Sequence, residues 1–410
     1  MKRLITVLIG AAGVAGAHAK PQLALPEVLW AAPGIECNVY FADISDSVLP
    51  GRYAWESMGP KGAQEEKRWT WTPEDADAGK SFPLTVRAFD DQGTVMEGTC
   101  TVKVAPLLDA AVKARPLVMS HLSDSLYGCG YPNALLDLMR TNSWTGYKTV
   151  GTHGGWGKKP EPNGIAYDCY GGFTWEAFLT RWMMTEQELS AIQNEAEREH
   201  FKQFVNKHLK PGGEYRLKSP FVSIVDGRKK FDIHPWMARV NGGKPPDVFL
   251  IQLGGNDVFS ATDDTRAARV AAVMSHAARL LDELRKVAPR ARIGVVTGTT
   301  GSSQDGFAFN YGNTYKKYNY ARNIQAYNRA LEKHVKDRAD PLLSFVPIHQ
   351  AIDPSTAWPT DERPLNSRTE RTLRRDRNGL HLSPEGGRQI ADVLYAWLLN
   401  HIDPTAKTRF

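Results

Sequence analysis

A serine, a glycine pair, an asparagine amide and a histidine follow one another in this chain, each where an apolar run ends. Together they could carry out acyl transfer, which needs a nucleophile, donors for the oxyanion and a base. Ser125 comes first. It follows Pro116-Leu117-Val118-Met119 and sits in Ser123-Asp124-Ser125-Leu126-Tyr127-Gly128. A strand that ends in a small-residue turn and opens a helix lifts one side chain out of the fold, where a hydroxyl reaches a substrate carbonyl. Taken alone, Ser125 reads as an ordinary N-cap. Ser123 is a competing hydroxyl, but Ser125 opens the helix and is the better placed.

The second segment is Gly171-Gly172-Phe173-Thr174-Trp175. A glycine lets the backbone approach an oxyanion and donate its N–H; the alternative is a plain tight turn. The third, Leu253-Gly254-Gly255-Asn256-Asp257, follows the apolar strand candidate Val248-Phe249-Leu250-Ile251-Gln252. The Asn256 amide can donate to a developing negative charge. The fourth is Asn378-Gly379-Leu380-His381-Leu382-Ser383-Pro384. His381 stands just before a helix start and can act as the general base toward Ser125. A structural histidine is the alternative. Asp124 and Asp257 are expected to serve as cap and loop hydrogen-bond groups.

The elements that must position these groups alternate. Strand candidates are Leu117–Ser120, Tyr147–Gly151, Val248–Leu253, Ile293–Thr297 and Phe345–Ile348. Helical stretches lie between them. Thr262 is a plausible N-cap, and Val270, Val273, Ala277, Leu280, Leu281 and Leu284 then share a face. Ser383-Pro384 opens the last helix, with Ile390, Val393, Leu394, Trp397 and Leu398 on its apolar side. Such alternation implies a parallel sheet covered on both faces, with the site beyond the carboxyl ends of its strands. Residues 174–245 read as an insertion, helical and charged from Glu186 to Lys210, then irregular and basic from Lys218 to Lys244. A lid or substrate-shaping excursion is expected there.

Residues 20–106 differ. Phe82–Phe89 alternates with period two, Asp90-Asp91-Gln92-Gly93 is a turn, and Thr94–Val104 alternates again, which makes a hairpin. A small β domain is expected here, then a short linker, then a second domain over 115–402. Residues 1–19 have the pattern of a secretory signal: Lys2-Arg3, an apolar run from Leu4 to Ala15, and Ala17-His18-Ala19. The run is short for a membrane span, so stable membrane insertion is not expected. An exported protein, periplasmic or secreted, permits disulfides. The four cysteines divide two and two, so Cys37–Cys100 and Cys129–Cys169 are the economical pairs. Cys37–Cys100 would join an early strand to a late one, as in an immunoglobulin-like sandwich. The net charge of +6 loses two units with the leader, and the remainder is dispersed, which argues against a nucleic-acid partner.

The four segments, in this order, resemble the SGNH/GDSL hydrolase superfamily over roughly residues 115–400. The resemblance implies a nucleophile at Ser125, oxyanion donors at Ser125, Gly172 and Asn256, and a catalytic base at His381. It implies a flavodoxin-like three-layer α/β/α domain and no metal or organic cofactor. The β domain, Tyr170-Gly171-Gly172-Phe173-Thr174-Trp175 and Ser302-Ser303-Gln304-Asp305 resemble exported bacterial members acting on polysaccharides. The implied activity is ester hydrolysis, with an O-acetylated polysaccharide or oligosaccharide as substrate. A lipid or thioester hydrolase is the alternative enzyme, and a catalytically inactive carbohydrate-binding protein the alternative of another class. Among 11 Trp and 14 Tyr, Trp175, Tyr170 and Trp156 lie near the glycine pair and are candidates to line a sugar cleft; core packing is the alternative.

The chain departs from the superfamily at two positions. Ser123 replaces the usual glycine before Asp-Ser. Asn378 replaces the usual aspartate three residues before the histidine. Asn378 could still accept the His381 Nδ1 proton through its amide oxygen, Asp376 could take over by a loop shift, or a Ser-His dyad could use a backbone carbonyl. Activity is expected to rise with pH as His381 loses its proton.

Overall fold

The computed structural model describes residues 21–47, 49–155, 158–160 and 164–403. The leader read at residues 1–19 and Trp156 lie outside them.

Two sheets form the N-terminal region. Strands β1 (Val28–Ala31), β2 (Cys37–Tyr40), β3 (Ala54–Met58), β4 (Ala63–Gln64), β5 (Arg68–Trp71), β6 (Ser81–Asp90) and β7 (Gly93–Val104) arrange as β1-β7-β6-β3 and β2-β5-β4. The β6–β7 hairpin is the one expected from its alternation. Its inward side chains Leu84, Val86, Cys100 and Val102 meet Val39 and Trp69 of the other sheet in one buried cluster. β1 runs parallel to β7.

The second region is built on a parallel sheet. Its strands β8 (Leu117–Ser123), β9 (Tyr147–Val150) and β10 (Asp168–Cys169) come first. Both β9 and β10 pair with β8, along its first and last residues respectively, so together they fill one edge position. A hairpin of β11 (Val222–Val225) and β12 (Arg228–Phe231) lies in the insertion. Then follow β13 (Val248–Gln252), β14 (Arg292–Val296) and β15 (Leu343–Val346). The order, β10 with β9, then β8-β13-β14-β15, is the flavodoxin-like one. All five residues of β13 are buried, as a central parallel strand requires. A last hairpin, β16 (Thr360–Pro364) with β17 (Thr372–Asp376), leads into the His381 loop.

The helix stripes fall as expected, with boundary shifts. Val270, Val273, Ala277, Leu280, Leu281 and Leu284 are the buried residues of Arg266–Val287. That helix starts after Thr265 rather than Thr262, because Thr262 is spent on a turn that accepts the Arg266 N–H at 2.8 Å. The insertion is helical at Glu186–Ser190 and Glu195–Phe201, but the helix expected to reach Lys210 ends in a 3-10 turn at Lys202–Phe204, and residues 205–210 are not helical. Its basic stretch is not irregular: it forms the β11–β12 hairpin and a helix, His234–Asn241, whose Trp236 and Met237 enter the core.

The cysteine pairing is corrected. Cys37, Cys100, Cys129 and Cys169 are all free, buried thiols. Each is packed as a small apolar group in a formed core, Cys37 and Cys100 in the β-region cluster, Cys129 and Cys169 beneath the parallel sheet. Burial pushes the Cys37, Cys100 and Cys129 thiols up to about 12, far from the thiolate needed for exchange.

Candidate active site

Ser125 stands where strand becomes helix. β8 ends at Ser123, and a 3-10 turn, Ser125–Cys129, follows before the helix Tyr131–Thr141. Asp124 caps the turn by accepting the Leu126 N–H at 2.9 Å. Ser123 is fully buried and donates its hydroxyl to Gln252 Oε1 at 2.7 Å, which removes it as a rival nucleophile. It is also absent from the positive-φ residues, so serine takes the usual glycine position without strain.

His381 Nε2 lies 2.9 Å from Ser125 Oγ. The remaining ring nitrogen, Nδ1, lies 3.4 Å from the amide nitrogen of Asn378. The orientation of that amide follows from its other contacts. Asn378 Oδ1 accepts the backbone N–H groups of Leu380 (3.0 Å) and His381 (2.9 Å), so oxygen must face the loop and nitrogen must face the imidazole. The expectation that Asn378 accepts the Nδ1 proton through its oxygen is therefore corrected. With the amide nitrogen facing it, Nδ1 meets a donor where a triad supplies an acceptor, which works against the Nδ1–H tautomer that a base at Nε2 requires. Asp376 is not the orienter either: its Oδ2 accepts the Ser303 N–H at 3.0 Å. Among the described residues no backbone carbonyl accepts from His381. Burial alone lowers the His381 pKa below the ordinary histidine value.

Gly172 has φ +75°, a conformation L side chains avoid. Its loop returns beside Ser125: a Cβ on Gly171 would lie 3.9 Å from the Ser125 Cβ. Asn256 follows Gly254, whose φ is +107° and whose Cβ would lie 2.2 Å from the Tyr327 ring, so only glycine fits. The Asn256 amide nitrogen is 3.2 Å from Asp124 Oδ2 and 3.1 Å from the Phe173 carbonyl oxygen. To serve an oxyanion it must share one of those hydrogens. Asp257 Oδ1 accepts the Trp175 N–H at 3.3 Å. Asp124 and Asp257 thus act as the cap and loop groups expected, and burial pushes both carboxyls up to about 7.

A small recess opens beside Ser125 and His381, lined also by Leu126, Gly298, Thr299, Tyr320 and Leu380. Sequence reasoning missed Thr299 and Tyr320. The signal for Thr299 was its place just past the end of β14, where such sheets bind ligands. Tyr320 had none, being one aromatic on a long helix. Trp175 and Tyr170 do not line the cleft. Both are buried, Trp175 donating its indole N–H to the Tyr327 hydroxyl at 2.9 Å and Tyr170 its hydroxyl to Asp168 at 2.8 Å. Packing claimed them because a ring beside a glycine turn covers the sheet beneath it.

Ser302-Ser303-Gln304-Asp305 supports the histidine loop. The Ser302 N–H donates to the Gly379 carbonyl at 3.0 Å, and Asn310 Oδ1 accepts the Gly379 N–H at 2.7 Å.

Residues 224–389 match the GDSL-like Lipase/Acylhydrolase family. The SGNH/GDSL resemblance read from the sequence is shown. The matched residues hold Asn256 and His381; Ser125 and Gly172 precede them and join them only in space. Among solved structures, one match is the Clostridium thermocellum family 3 carbohydrate esterase, at 16% identity and TM-score 0.38, covering 68% of this chain and 94% of that one. Another is a carbohydrate esterase family 3 from Talaromyces cellulolyticus, at 12% and 0.36, covering 69% and 96%. A Corynascus thermopiles carbohydrate esterase family 2 enzyme plus carbohydrate binding domain matches at 10% and 0.34, covering 90% of each chain. No curated protein matches.

Proposed function

We propose that the protein is a serine ester hydrolase that removes O-acetyl groups from a polysaccharide. The contact of His381 Nε2 with Ser125 Oγ at 2.9 Å carries the reading. Ser125 attacks the ester carbonyl as His381 takes its proton. The oxyanion is met by the N–H groups of Ser125 and Gly172 and by the Asn256 amide. The alkoxide leaves with the proton from His381. Water, deprotonated by His381, then attacks the acyl-enzyme, releasing acetate and restoring Ser125. The small recess beside Ser125 suits a short acyl group better than a lipid chain, since only Leu126, Tyr320 and Leu380 give it apolar wall.

One observation favours a second reading, a catalytically inactive carbohydrate-binding protein. The base form of His381 needs its proton on Nδ1, where it faces the Asn378 amide nitrogen instead of a carboxylate. Hydrolysis of p-nitrophenyl acetate decides. Release of p-nitrophenol that Ser125→Ala removes, with unchanged circular dichroism, supports the esterase; no release from the wild type supports the binding protein.

The β region at 20–106 is an immunoglobulin-like module ahead of a hydrolase domain at 115–402, supported by its two sheets around one core. Residues 174–245 shape the substrate side of that domain. Export is supported by the sequence of residues 1–19.

A further inference from the structure

Two guanidinium groups flank the site and take no part in the chemistry above. Arg181 follows the helix Trp175–Thr180, its Cζ 4.6 Å from the centre of the Phe173 ring. Arg216 ends the 3-10 turn Glu214–Arg216, its Cζ 5.6 Å from the centre of the Tyr215 ring. A Cβ on Gly171 would meet Arg216 Nη1 at 3.3 Å and the Ser125 Cβ at 3.9 Å, so guanidinium and nucleophile adjoin the same glycine. The arginines also feel each other. After burial, Arg216 is the next cause lowering the Arg181 pKa, ahead of Glu176, which acts the other way. Among the described residues neither arginine has an ion-pair partner. Cations held near one another without a carboxylate between them repel, and an anion between them relieves that repulsion. The planar fork of arginine matches a carboxylate with two parallel hydrogen bonds. The recess beside Ser125, by contrast, has no cationic wall apart from the titratable His381. The positive charge lies on the glycine-loop side, and neither arginine lines the recess.

We infer that Arg181 and Arg216 form a carboxylate-reading subsite for the alcohol portion of the ester. The preferred substrate class is then an acetylated polysaccharide containing uronic acid units. The inference rests on the ester-hydrolase reading. Its test is the ratio of kcat/KM for acetate release from O-acetylated polygalacturonate to that from O-acetylated glucomannan, which is neutral. Wild type is expected to favour the uronate by about tenfold, the size of one charge-assisted hydrogen bond. Arg216→Gln and Arg181→Gln are expected to bring the ratio close to one. Lys244→Gln removes an equal charge from an exposed site and is expected to keep the wild-type ratio. A wild-type ratio near one, or a ratio that Arg216→Gln leaves unchanged, overturns the inference; Arg216 is exposed, so that variant is expected to fold. Release from neither polymer while p-nitrophenyl acetate is still hydrolysed also overturns it. The underlying reading fails separately, if p-nitrophenyl acetate is not hydrolysed or if Ser125→Ala still hydrolyses it.

Discussion

Among single residues, Asn378 is the one whose side chain faces His381 Nδ1. An aspartate there could accept the Leu380 and His381 backbone N–H groups through one oxygen and the Nδ1 proton through the other. The amide satisfies the same two backbone donors but turns an N–H toward Nδ1. Asn378→Asp is therefore expected to raise kcat/KM on p-nitrophenyl acetate by roughly tenfold or more, since the converse change in a serine triad costs far more than that. No change, or a fall with the fold intact, would show that this loop does not control the tautomer. The same variant tests the pH profile. In the wild type, burial holds the His381 pKa below its ordinary 6.5, and the base form is the neutral one. Activity should rise with pH through a limb below 6.5. A carboxylate at 378 stabilises the imidazolium, so the limb should move to higher pH.

At the scale of elements, the site is a set of loop-to-loop hydrogen bonds laid across the carboxyl ends of β8 and β13. Asp124 joins the serine turn to Asn256, and Asp257 joins the asparagine loop to Trp175. Both carboxyls are buried, and among the described residues Asp257 Oδ2 has no hydrogen-bond partner. Their folded pKa values, about 7, lie above the ordinary carboxylate value of 3.8. The unfolded chain releases these protons first, so their contribution to stability is fully present below about pH 4 and is lost as pH rises toward 7. Asp257→Asn cannot ionise and keeps an oxygen for the Trp175 N–H. Its melting temperature relative to wild type should climb between pH 4 and pH 7 and level off above. A constant difference across that range would show that Asp257 is ionised in the native state.

At the scale of the whole molecule, the two regions are riveted together. Trp30 donates its indole N–H to the Phe345 carbonyl at 3.2 Å, and Asn400 its amide to the Ala31 carbonyl at 3.0 Å. His349 Nε2 meets the Ala24 carbonyl at 2.9 Å. Asp43, buried, accepts from the Thr300 hydroxyl, and its carbonyl accepts from Gln325. Ala32 and Ala105 of the β region lie in the same buried cluster as Met119 and Val346 of the sheet. Cross-region contacts of this kind couple unfolding. One calorimetric transition is expected, and Asp43→Ala should lower it as a unit, by about 1–3 kcal/mol, by leaving Thr300 without its partner in a buried contact. Two resolved transitions would show that the regions melt independently.

The alternating strands, the β6–β7 hairpin, the buried helix stripes and the four segments were legible in the sequence, because period and turn chemistry are local properties of the chain. The sequence also marked Asn378 as the odd position. Packing across the fold supplied what local pattern cannot carry. It buried Trp175 and Tyr170 against the sheet, left the four thiols free in formed cores, and made the basic 218–244 stretch a hairpin and a core-facing helix. It also chose which end of the Asn378 amide faces His381. Each depends on what lies across the fold or loop from a residue, and spacing along the chain does not encode that.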